Sequence, residues 1–112
     1  MSNDISKLYF ILEKIEDLDT FKNRFNTTEE LLNDKMGFDA VLMCLLQIGE
    51  SLNKLRDTYK YFNTDDIKGA YDVRNFIAHD YEGVNKSIIE SIIREHIPKL
   101  KTTIKNILTD DD

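Results

Sequence analysis

Tryptophan is absent from these 112 residues, and cysteine and proline occur once each. A single cysteine, Cys44, excludes an internal disulfide and a thiolate metal cluster. Its neighbours in Val41-Leu42-Met43-Cys44-Leu45-Leu46 make it a small core residue rather than a nucleophile. Glycine is also scarce, at four, and no segment alternates apolar and polar residues over a strand's length, so nothing points to a β-sheet. No apolar run approaches the ~18 residues that span a bilayer. Met1-Ser2-Asn3-Asp4 lacks the basic-then-apolar pattern of a secretory signal. A cytoplasmic location without a membrane partner is therefore expected. Basic residues are outnumbered, with 15 Lys and Arg against 21 Asp and Glu for a net charge of −6. That balance argues against a broad surface for nucleic acid, yet it permits a local positive cleft and would suit a basic protein partner.

What remains is helix-forming sequence. The length suits one core, so residues 1–112 are expected to form a single domain. With 41% hydrophobic and 32% charged residues, the chain is too apolar for disorder. The first helix is expected from Asp4, capped by Asn3 or Asp4, with Ile5, Leu8, Tyr9, Leu12, Ile15 and Leu18 at spacings of three and four. Thr27 with Glu30 reads as a capping box for a short turn over residues 28–33, followed by a break or bend at residues 35–37. A second long helix over about 38–59 would bury Val41, Leu42, Leu45, Ile48, Leu52 and Leu55. The polar cluster Asn63-Thr64-Asp65-Asp66 can cap a third helix over about 65–78, with Ile67, Ala70, Tyr71 and Ile77 inward. Residues 80–85 read as a loop. The last helix follows Asn85 and carries Ile88, Ile89, Ile92, Ile93, Ile97, Leu100, Ile104 and Ile107, with a kink or restart at Pro98. The acidic end, residues 109–112, is expected to fray. The fold class expected is all-α, an antiparallel up-and-down bundle of four main helices plus a short helical turn.

The stretch richest in chemistry is Arg74-Asn75-Phe76-Ile77-Ala78-His79-Asp80-Tyr81-Glu82-Gly83-Val84-Asn85. Arginine offers a planar, permanently cationic fork for a phosphate, and histidine near its ordinary pKa of ~6.5 can both take and give protons. That pair suits RNA cleavage: a base frees the 2′-hydroxyl to attack phosphorus while cationic donors stabilise the added negative charge, with no metal required. On an unbroken helix two residues five apart diverge by about 140°, so Arg74 and His79 converge only if the helix stops near Ala78. The leaving oxygen needs an acid, and the only other histidine, His96, lies far along the chain. A two-fold dimer would supply a second copy of each group. Spacing alone favours an Arg and a His that merely cap carbonyls at a helix end, since two such residues five apart occur often by chance.

These residues resemble the HEPN superfamily in its HepT-like form. Arg-Asn, three residues, then His-x-Tyr-x-Gly-Val-Asn is similar to its Arg-x4–6-His signature. Ile48-Gly49-Glu50-Ser51 is similar to an Ile-Gly-Glu-Ala stretch, and Ile97-Pro98-Lys99-Leu100 to a Leu-Pro-x-Leu segment. The likeness spans about residues 8–108. It implies the HEPN fold and the ribonuclease toxin of a toxin–antitoxin pair, neutralised by a minimal nucleotidyltransferase antitoxin. It also implies a homodimer with Arg74 and His79 of both copies in one cleft, an RNA substrate and no cofactor. Asn75 takes a supporting polar role, as does Asp80 beside His79. Tyr81 matches a tyrosine that the partner can adenylylate, which would add bulk and negative charge beside the cleft. Glu50 matches a carboxylate facing that cleft, where it can orient Arg74 by a charge-assisted pair, or it is an ordinary exposed glutamate. The sequence departs from many relatives in having Tyr71 where they carry tryptophan, and in a short connection before the third helix.

No metal site is expected: His96 has no partner of ligand type at its spacing, and the carboxylate runs lack the pattern of a calcium loop. Tyr59, Lys60, Tyr61 and Phe62 read as packing at a helix end rather than as a base-stacking surface. Two other functions fit the sequence. One is a non-catalytic, nucleotide- or partner-binding module in complex with a nucleotidyltransferase, and the other is a structural helical dimer.

Overall fold

The computed structural model describes residues 2–55, 64–81 and 83–110, with side chains described for 4–55, 72–81 and 83–109. Every regular element among them is helical. α1 (Ser2–Asn23) begins two residues before the expected start, so Asp4 lies within its first turn, where a carboxylate complements the positive end of the helix. Its buried stripe is Leu8, Ile11, Ile15 and Leu18. Tyr9, expected inside, is 58% exposed and Leu12 is only partly buried. Residues 8–12 are apolar throughout, so their periodicity leaves the phase of the stripe open, and packing selects Ile11.

The turn after α1 follows its capping chemistry closely. The Thr27 hydroxyl accepts the Glu30 N–H at 3.1 Å, starting α2 (Thr28–Asn33). The Glu30 carboxylate reaches back to the N–H of Asn26, at 3.2 Å, one residue before the cap. Asp34 is extended (ψ 127°) and its carboxylate accepts the Gly37 N–H at 2.8 Å. The break therefore falls at Asp34, and α3 (Lys35–Leu55) starts three residues earlier than expected. Gly37 serves close packing rather than interruption. A β-carbon there would lie 2.6 Å from the Leu31 carbonyl oxygen and 2.8 Å from its Cδ1. Gly37→Ala should cost about 1–3 kcal/mol, because the backbone of α2 must yield. Thermal unfolding would show a drop of roughly 4–15 °C; an unchanged midpoint would mean that α2 is free to move.

α3 buries all six expected residues, Val41, Leu42, Leu45, Ile48, Leu52 and Leu55, together with Cys44. Burial pushes the Cys44 thiol up, with the Asp17 carboxylate adding to the shift and Lys14 opposing it. The expected end of this helix near residue 59, the readings of Tyr59 to Phe62 and the Asn63 cap lie outside the described residues, as do the side chains of Ile67, Ala70 and Tyr71. α4 (Thr64–His79) packs on α3 more extensively than any other pair, and α3 also covers α1 and α2.

α5 (Lys86–Ser91) is capped by Asn85, whose side chain accepts the N–H groups of Ser87 (2.8 Å) and Ile88 (3.3 Å). The helix then widens into a π-turn, Ile92–His96, and continues as α6 (Ile97–Asp110). Within it the Ile97 N–H bonds to the Ile92 carbonyl, five residues back. The interruption expected at Pro98 takes this form: a widened turn sits where proline has no amide to donate. Ile89, Ile97, Ile104 and Ile107 are buried, whereas Ile88, expected inside, is 51% exposed because capping at Asn85 sets the phase of α5. Thr109 and Asp110 belong to α6 rather than to a frayed tail. One core cluster joins residues from α1 to α6, in an all-α bundle.

Candidate functional site

α3 and α4 run antiparallel, and two side-chain ties join α3 to the α4 end of the chain. Toward the carboxyl end of α3, Arg74 Nε donates to Glu50 Oε1. Toward its amino end, the Tyr81 hydroxyl donates to Asp39 Oδ1 at 3.2 Å. His79 lies between the two ties in sequence, as the last residue of α4.

α4 is inward at Val73 and Ile77, and Asp72, Asn75, Phe76 and His79 occupy the opposite face at spacings of three and four. Arg74 stands at the boundary and is half-buried. Its guanidinium carries five N–H donors. Besides the Glu50 bond, Nη1 donates to Asn75 Oδ1 at 2.7 Å. The two bonds hold the fork in a defined plane, with donors remaining to meet a phosphate. The pair with Glu50 is partly solvated, side chains being 32% and 40% exposed, so it contributes orientation rather than much stability.

Because α4 continues through His79, helical periodicity separates Arg74 from His79 by about 140° and a rise of about 7.5 Å. The helix ends one residue later than the expected Ala78, which leaves His79 in helical register with Arg74. Asn75 offsets part of this. It lies one turn before His79 on the same face, and it draws Nη1 toward that face. His79 is exposed, and among the described residues no hydrogen bond joins it to Arg74.

The loop after α4 is shaped by its own polar groups. Asp80 Oδ1 accepts the Gly83 N–H at 3.1 Å and the Asp80 carbonyl accepts it at 3.2 Å, closing a turn. A β-carbon at Gly83 would collide with the Asp80 carboxylate. Asp80, expected as a supporting site residue, closes this turn with its carboxylate. Val84 is buried and anchors the end of the loop. Tyr81 is 40% exposed. Burial raises its phenol above the ordinary range, and the Asp39 carboxylate adds to this by charge and by accepting the hydrogen bond. The phenol is accordingly a protonated donor at neutral pH. Asp39 went unnoticed in the sequence, since 42 residues separate it from Tyr81.

The two helices that carry the site also expose apolar side chains. Phe76 on α4 is 46% exposed and Met43 on α3 is 48% exposed, with Met36 seven residues before it on the same side of α3. Among the described residues no group of three or more His, Cys, Asp or Glu side chains could hold a metal, and no helix is long and apolar enough to cross a membrane.

The ribonuclease HepT-like family matches residues 11–107. Three proteins of Methanocaldococcus jannaschii are similar along almost the whole chain. "Putative RNase MJ0127" is 34% identical over 105 residues, covering 92% of this chain and 85% of the relative. "Putative RNase MJ1216" is 30% identical over 107 residues, with the same coverage of 92% and 85%. "Putative RNase MJ1380" is 29% identical over 99 residues, covering 88% and 90%. No solved structure matches. The matched span contains α3, α4 and the loop that follows, and with them both ties and His79, and the chain belongs to the ribonuclease HepT-like family.

Proposed function

We propose that this chain is the endoribonuclease toxin of a toxin–antitoxin pair and that it cleaves RNA through Arg74 and His79 without a metal ion. The observation that carries the reading is the fixed guanidinium of Arg74, held by Glu50 and Asn75, with an exposed His79 one helical turn beyond Asn75 on the same α4. In the reaction, His79 removes the proton of a ribose 2′-hydroxyl. The 2′-oxygen bonds to phosphorus as the bond to the 5′-oxygen breaks, leaving a 2′,3′-cyclic phosphate. Arg74 meets the non-bridging oxygens, where negative charge grows. The 5′-oxygen takes its proton from His79 of the partner subunit, whose own Arg74 lines the same cleft.

The homodimer follows from this need for a second acid and from the apolar surface beside the site. Phe76 shares the outward face of α4 with His79, and a second copy seated there would bring two such faces together. Phe76→Glu should shift the chain from dimer to monomer in sedimentation at micromolar concentration, and cleavage should fall with it. A dimer that persists would place the interface elsewhere.

The antitoxin is a minimal nucleotidyltransferase that adenylylates Tyr81. The 40% exposure of this tyrosine leaves its hydroxyl within reach of an enzyme, and the added phosphate would repel an RNA backbone entering beside His79. The protein acts in the cytoplasm. The direct test is incubation of purified chain with RNA in excess chelator. Fragments ending in cyclic phosphate are expected; intact RNA would favour a second reading, a non-catalytic module bound to its nucleotidyltransferase, to which the net charge of −6 lends support.

A further inference from the structure

His79 ends α4, and among the described residues beyond it the next helix begins at Lys86. Its placement depends on what holds the chain immediately before and after it. Before it stand the packed Ile77 and the Arg74–Glu50 pair. After it, two residues on, the Tyr81 hydroxyl meets α3 at Asp39 Oδ1 (3.2 Å) and, more distantly, at the Asp39 carbonyl (3.5 Å). The Asp80–Gly83 turn is a contact internal to the loop, and the buried Val84 anchors the loop only at its far end. The geometry points to Asp39 as a positioning residue that holds His79 in register through Tyr81, and that converts a gain of negative charge at Tyr81 into release of the segment carrying His79. The second half rests on the proposed group transfer to Tyr81.

The chemistry of that transfer removes the bond and opposes its re-formation. With a nucleoside triphosphate as donor, the Tyr81 oxygen bonds to the α-phosphorus, and the bond from that phosphorus to the pyrophosphate oxygen breaks. The phenolic proton passes to the Asp39 carboxylate and on to solvent. The product has lost the O–H that Asp39 accepted and carries a phosphodiester anion in its place. An attractive donor–acceptor pair becomes an ester oxygen without a proton, with an anionic phosphate next to the Asp39 carboxylate. Modification then acts on catalysis by displacing His79 as well as by obstructing the cleft.

A charge-swap cycle tests this without any nucleotidyltransferase, so failure of the group-transfer reading would leave its outcome unchanged. Amide hydrogen exchange is followed at residues 80–84 in the full chain, with α1 as an internal control. Asp39→Ala and Tyr81→Phe should each speed exchange there by about threefold to tenfold, and the double variant no further, as expected for two partners in one bond. Tyr81→Glu should exceed Tyr81→Phe, and Asp39→Lys in the Tyr81→Glu background should restore exchange to within about threefold of the wild type. In cleavage, Asp39→Ala should lower kcat while leaving KM within about twofold, since RNA binding is untouched and the base is misplaced. Exchange in Tyr81→Glu no faster than in Tyr81→Phe, no rescue by Asp39→Lys, or an unchanged kcat in Asp39→Ala would each overturn the assignment.

Discussion

Alanine in place of His79 should lower the rate of RNA cleavage by about 10²- to 10⁴-fold, the range over which a positioned general base contributes. The side chain is exposed at the end of α4 and makes no hydrogen bond among the described residues, so the thermal midpoint should stay within about 2 °C of the wild type. The combination is diagnostic. A helix-end histidine that only complements the dipole would show a stability loss of about 0.3–1 kcal/mol and no effect on chemistry. Cleavage by His79→Ala at the wild-type rate, measured in chelator to exclude a contaminating metal-dependent nuclease, would remove His79 from the mechanism.

Arg74 carries the second large effect, and the comparison of two substitutions isolates its geometry. Arg74→Ala should reduce kcat by about 10²- to 10³-fold, comparable to the removal of one donor from an oxyanion site. Arg74→Lys keeps the charge but has one ammonium in place of a fork. It cannot bond Glu50 and Asn75 at once and still present donors to a phosphate, so it should recover less than about tenfold of the loss. Both variants should fold, because the pair with Glu50 is partly solvated and such pairs contribute at most about 1 kcal/mol. A lysine variant close to wild-type activity would show that charge alone is needed at this position, and that the bonds from Glu50 and Asn75 are incidental.

Both effects follow from the way α3 presents side chains to α4. Glu50 and Asp39 lie eleven residues apart, about three turns of helix, which brings both to the same flank of α3. One meets Arg74 and the other meets Tyr81. The stretch from Arg74 to Tyr81 is thereby tied at both ends while His79 between them remains accessible. Glu50 thus pairs with Arg74 rather than standing as an isolated surface glutamate. Asp80 performs the local task of closing the turn at Gly83.

Periodicity and capping chemistry made most of the helical architecture legible, because these effects are local. The stripe of Val41, Leu42, Leu45, Ile48, Leu52 and Leu55 obeys the 3.6-residue repeat, and Thr27 with Glu30 encodes its own turn within a few residues. Local reading failed where the pattern was degenerate. Five consecutive apolar residues, 8–12, left the phase of α1 open until packing chose Ile11 over Tyr9. Gly37 looks like a helix breaker, yet it sits inside α3 because the carbonyl of Leu31 passes too close for a β-carbon.

The amino-acid sequence by itself determined the helical class, the core stripe of α3 and the cluster of polar groups from Arg74 to Asn85, since each depends on residues close together in the chain. Tertiary structure decided the rest: the run of α4 through His79, the pairing of Arg74 with Glu50 24 residues away, and the docking of Tyr81 on Asp39 across 42. Those partnerships depend on how two antiparallel helices are phased against each other. That phase is set by the packing of many buried side chains at once, which no short window of sequence contains.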